Sequence, residues 1–97
     1  MKPFRWSHEK NEQLKAERSI SFEEVVLAIE NGDLLDVLQH HNPRRYPDQF
    51  ILVVAIEGYA YLAPVVEETD YYFMKTVIPS RKASRDYLQR GGSDEDA

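Results

Sequence analysis

No cysteine occurs in the 97 residues, which excludes disulfides, thiolate metal sites and cysteine nucleophiles and fits a reducing, cytoplasmic setting. Long apolar runs are missing too. The longest, residues 50–56, is far short of the roughly 20 residues that cross a bilayer, so no membrane partner is expected. The start, Met1-Lys2-Pro3-Phe4-Arg5-Trp6, runs straight into Ser-His-Glu-Lys and lacks the apolar stretch of a secretion signal. Only 4 glycines are present, and none forms a phosphate-cradling loop. Basic charge is scarce as well: 12 Lys and Arg against 17 Asp and Glu leave a net charge of −5, which opposes binding of a polyanion by the chain as a whole.

The distribution of charge is less even than its sum. Residues 21–36 carry Glu23, Glu24, Glu30, Asp33 and Asp36 with no base, whereas residues 71–92 carry Lys75, Arg81, Lys82, Arg85 and Arg90 against Asp86 alone. Local field decides what approaches a surface. The length suits one modest core, so any function sits on the surface of that core or across an oligomer interface. The expected organisation is a single α+β domain over residues 1–92 and a disordered acidic tail over residues 93–97.

Ser7 caps a run of good helix formers, residues 8–17, whose only aliphatic residues are Leu14 and Ala16. This predicts a peripheral first helix, held by Trp6 and Ile20. Ser21-Phe22-Glu23-Glu24 is a capping box, Ile20 and Val25 can form a hydrophobic staple, and Phe22, Val25, Val26 and Ile29 mark one helical face ending at Asn31-Gly32. From there the period is that of strands, over residues 34–38, 49–57, 59–66 and 71–78. The short connections predict an antiparallel meander, with residues 40–48 a proline-bounded loop. Pro64 predicts an edge position or a bulge, since it cannot donate to a ladder. Residues 4–6 could add a further strand. Pro79-Ser80 ends the sheet and caps a short basic helix from Arg81 to about Arg90, stopped by Gly91-Gly92.

Three groups of residues could carry chemistry. Arg81, Lys82 and Arg85 crowd a helix start that ordinarily prefers acids; with Lys75 on the preceding strand they suit an anion, and a solvated basic face explains them equally well. Tyr71, Phe73, Lys75 and Val77 share one side of their strand by simple alternation. Aromatics interleaved with a lysine can stack bases and hold a phosphate, although such faces more often lie under helices. His40-His41 and Arg44-Arg45-Tyr46 lie on the loop. A histidine near cations is the minimum equipment for metal-free RNA cleavage, as base and as stabilisers of the phosphorane, and paired loop histidines are more often surface residues. No third ligand is suitably spaced for a metal, so neither a metal nor another cofactor is expected.

The order Phe4-x-Trp6, Lys10-Asn11, Ile20-Ser21-Phe22-Glu23-Glu24, a strand meander and Ile78-x-Ser80-Arg81-Lys82-Ala83 resembles the BrnT-type toxins of bacterial type II toxin–antitoxin systems. The resemblance covers residues 4–88. It implies a RelE-like fold, a metal-independent ribonuclease that stops growth by cutting RNA, a cognate antitoxin covering the active surface, and room for a homodimer within that complex. Arg81 and Lys82 would hold the RNA backbone, joined by Arg85, Arg44 and Arg45, while Arg18, Lys75, Arg81, His40 and His41 are the catalytic candidates. The family pattern has Lys-His-Gly between the first two helices, where this chain has Glu17-Arg18-Ser19. Arg18 can stabilise a phosphorane but is a poor proton-transfer group, which leaves the base to His40 or His41, or leaves a non-catalytic binding protein acting through a protein interface.

Overall fold

The structure, a computed structural model, describes residues 1–89; the expected helix stop at Gly91-Gly92 and the acidic tail lie outside these residues. A two-residue strand β1 (Phe4–Arg5) leads into α1 (His8–Arg18) and α2 (Phe22–Glu30). Strands β2 (Leu34–Gln39), β3 (Gln49–Ile56), β4 (Tyr59–Glu67), β5 (Tyr72–Met74) and β6 (Ile78–Pro79) follow. The chain then enters α3 (Arg81–Ala83), which continues as a π-helical turn over Ser84–Leu88. The expected α+β arrangement of two N-terminal helices, a meander and a short C-terminal helix is therefore present, with more strands than the four expected and a π-turn in place of the helix's second half.

Capping sets the helices. Ser7 Oγ accepts the Lys10 N–H at 3.2 Å, and Ser21 Oγ accepts the Glu24 N–H at 3.2 Å while donating to the Glu24 carboxylate. Each satisfies a donor that the first helical turn leaves free. Gly32 at φ 86° ends α2 in the conformation that glycine adopts without cost. Asn11 joins the two helices: its Oδ1 accepts the Phe22 N–H at 2.9 Å and its Nδ2 donates to Glu23 Oε1 at 2.8 Å. The thin apolar face of α1 is thus supplemented by a buried polar clamp.

The sheet order is β1-β5-β4-β3-β2, with β6 pairing β4 further along. All pairs are antiparallel except β1 with β5, which is parallel. Leu52, Val54, Ala63, Val65 and Met74 point to the inner face and pack under Leu14, Ile20, Phe22 and Val25, with Trp6 stacked on Phe22 at 5.5 Å between ring centroids. On the outer face, Val53 and Ala60 pack with Ala83, flanked by Leu35, Leu62, Tyr87 and Leu88. The C-terminal helix therefore covers one end of the outer face. It is held by the Tyr87 hydroxyl donating to Asp36 Oδ2 and by Ser84 Oγ, which accepts the Ala60 N–H at 2.8 Å.

The last expected strand, residues 71–78, is broken. Val65 opposes Met74, yet Leu62 opposes Ile78, so Ala63 and Pro64 face three residues, Lys75, Thr76 and Val77. This is a β-bulge, and Pro64 stands opposite its start. Val77, expected beside Lys75 and Phe73, is turned by the extra residue into the inner core, where it is fully buried. Pro64 itself lies in an interior strand, so the bulge expectation holds and the edge expectation does not.

Candidate functional site

Strand alternation and register assemble the outer face in rows. Asp36, Val53, Leu62 and Ile78 form the row beside the C-terminal helix. Leu38, Ile51 and Pro64 form the next, extended by Lys75, whose N–H reaches the Pro64 carbonyl. Gln49, Val66, Phe73 and Arg5 form the third, and His40 continues it through its N–H bond to the Gln49 carbonyl at 3.1 Å. Among the described residues the C-terminal helix borders the second row at Leu38, and the third row lies beyond it. Ile51, Pro64, Val66 and Phe73 are half-buried, while Leu38, Lys75 and Arg5 are exposed. A mildly apolar floor with one aromatic ring is thus edged by cations.

The loop after β2 extends this surface. The His40 ring lies 4.2 Å from that of His41 and 4.5 Å from that of Tyr46, and the Arg45 guanidinium sits over Tyr46 at 5.5 Å. The result is one continuous stack from His41 to Arg45. His40 is held below the usual histidine range, first by partial removal from water and then by the positive charge of His41 and Lys75. His40 Nδ1 accepts the Asn42 N–H at 3.0 Å, so the neutral ring carries its proton on Nε2 and presents a donor outward. The ring nitrogens of His41 have no hydrogen bond among the described residues.

The other sequence candidates are distributed around this surface. Lys82 lines the cleft between the C-terminal helix and the sheet together with Leu38, which brings it to the second row. It is paired with Asp86 at 3.3 Å, as is Arg85 at 3.6 Å; Asp86 thereby neutralises part of the basic helix. Arg81 is exposed and has no ion pair among the described residues. Arg44 is exposed on the loop. Arg18 stands apart: its Nη1 donates to the Val77 carbonyl at 2.7 Å, so this guanidinium is engaged with backbone rather than projecting with the other cations.

Sequence reasoning missed Arg5. Arg5 belongs to the surface because a two-residue parallel strand places it beside Phe73, with its guanidinium over the Tyr71 ring at 5.0 Å. The alternation Phe4-x-Trp6 was the available signal. Among the described residues no group of acidic or histidine side chains is arranged to hold a metal. No helix among them is long and apolar enough to cross a membrane.

No protein-family model matches the chain, and no curated protein matches it significantly.

Proposed function

We propose that this chain is the toxin component of a type II toxin–antitoxin system, a BrnT-like, metal-independent ribonuclease that arrests growth in the bacterial cytoplasm by cutting RNA on the outer sheet face. The reading rests on the shared outer face, where His40 and Phe73 belong to one row and Lys75 to the row beside it. A half-buried apolar floor with one aromatic ring and flanking cations suits single-stranded RNA, whose bases can stack on rings while lysine and arginine meet the phosphates. Residues 71–89 carry Lys75, Arg81, Lys82 and Arg85 against Asp86 alone, so the local field, rather than the net charge, is the relevant one.

Cleavage on this surface would use the substrate's 2′-hydroxyl as nucleophile. The bond from O2′ to phosphorus forms, the bond to O5′ breaks, and His41 takes the 2′-hydroxyl proton while water protonates the departing oxygen. The Lys75 ammonium and the His40 Nε2–H stabilise the charge that builds on phosphorus. Arg44, Arg45, Arg81, Lys82 and Arg85 hold the chain to either side. A cognate antitoxin would shield this face from RNA.

A second reading, a non-catalytic binding protein, is favoured by one feature. On the inner face beyond the helices, Phe4, Ile29, Leu34, Val37, Phe50 and Tyr72 line an apolar groove, and Val37 is 50% exposed. Exposed apolar surface of this kind suits a protein interface.

Induced expression in bacteria, following growth and total RNA, separates the two readings. Growth arrest with RNA breakage that Lys75→Glu abolishes is the expected result. Normal growth with intact RNA, from folded protein that captures the product of a neighbouring gene, overturns the nuclease reading and supports the second.

A further inference from the structure

The bulge opposite Pro64 explains what Arg18 does. A bulge leaves backbone groups outside the ladder and re-aims the side chains around it. Lys75 retains one ladder bond, from its N–H to the Pro64 carbonyl at 2.9 Å, and its side chain stays on the outer face. Two residues later Val77 is turned into the inner core, and its carbonyl accepts the Arg18 guanidinium at 2.7 Å. Beyond it Ile78 re-enters the sheet against Leu62, and Ser80 caps the C-terminal helix by accepting the Ala83 N–H at 3.0 Å. A hydrogen bond from a charged donor to a backbone carbonyl is stronger than its neutral counterpart. It fastens the end of α1 to the short segment that connects Lys75 with the basic helix.

We propose that Arg18 is a positioning residue: by locking the bulge at Val77 it fixes Lys75 on the outer face. The inference rests on the RNA reading of that face and gives Arg18 a task that needs no contact with RNA. The position of Arg18 suits it. The helix ends immediately afterwards at Ser19, in left-handed conformation at φ 55°, and a cation in the last helical turn is favoured by the helix dipole. Lysine in its place keeps a charged donor on a long stem, whereas methionine keeps much of the stem and removes the donor.

The test is a double-mutant cycle read by binding of a fluorescently labelled single-stranded RNA oligonucleotide to Arg18→Met, Lys75→Ala and the double variant. Amide NMR spectra confirm folding and follow residues 75–78. Arg18→Met is expected to shift those amides and to weaken RNA binding by about tenfold, the lower end of what one charged hydrogen bond contributes. The double variant is expected to bind no more weakly than Lys75→Ala, and Arg18→Lys to recover most of the loss. Independent, additive losses would overturn the inference by showing that Arg18 meets RNA itself, as would binding by Arg18→Met equal to that of the parent. If folded Lys75→Ala binds RNA unchanged, the RNA reading fails and takes the inference with it, a pattern distinct from either of those.

Discussion

Lys75 donates its backbone N–H to the Pro64 carbonyl at 2.9 Å and receives no bond in return, because Pro64 is the only residue of β4 without an N–H. The ladder ends where that return bond is missing, and the extra residue that follows exchanges the faces of the sheet for everything downstream. One proline thus stands where Lys75 stays outside and Val77 goes inside.

Substitution separates this bulge from an unbroken strand. Val77→Ala is expected to cost about 2 kcal/mol in urea unfolding, the range for removing apolar atoms from a buried site. Ile78→Ala, at a position 40% exposed, is expected to cost less than about 1 kcal/mol. The reverse order would contradict the bulge.

The Asn11 clamp gives a stability and a pH prediction. Asn11→Ala leaves the Phe22 N–H buried without an acceptor, and a loss of about 1–3 kcal/mol is expected. Its hydrogen bond to Glu23, with a further backbone bond, holds that carboxyl below the usual glutamate range. A depressed carboxyl stabilises the fold above its unfolded value and loses that contribution as pH falls through the folded value. The stability gap between the parent and Glu23→Gln should therefore be present at neutral pH and close in acid, below about pH 4.

His40 titration reads the outer-face field directly. In two-dimensional NMR its ring is expected to titrate below the ordinary histidine value of about 6.5 and to move upward in Lys75→Ala. Since the folded form binds its proton more weakly than the unfolded chain, the stability carried by neutral His40 is present above the unfolded value and is lost as pH falls towards the folded one.

Tyr87→Phe removes the hydroxyl that bonds to Asp36, a contact between the C-terminal helix and the edge strand. Faster hydrogen exchange across Ala83 to Leu88 is expected, with a global cost of about 1.5 kcal/mol; unchanged exchange there would contradict that anchoring role.

Much of the fold was legible because its signals are local. Ser7 and Ser21 announce helix starts through bonds spanning three residues, and the alternation of β3 and β4 shows in their valines and alanines. Three features were not legible, each for want of a local signal. Asn11 reads as one polar residue in a polar helix until Phe22 is brought beside it. The bulge was signalled by Pro64, but the opposite strand carries the extra residue, so alternation misassigned Val77. Arg5 joins the outer face only through a parallel pairing with a residue 68 positions later in the chain. Of the candidate site, the loop histidines and Lys75 were identified as residue types, while their convergence depended on the register of strands β2 to β5.

Ultraviolet crosslinking of the purified protein to a single-stranded RNA oligonucleotide, with crosslinked peptides mapped by mass spectrometry, tests the RNA-binding face most directly. The account predicts crosslinks at Phe73 and within the His40 to Tyr46 loop, reduced in Lys75→Glu. Crosslinks confined to the inner-face groove at Phe4, Phe50 and Tyr72, or none from folded protein, would contradict it.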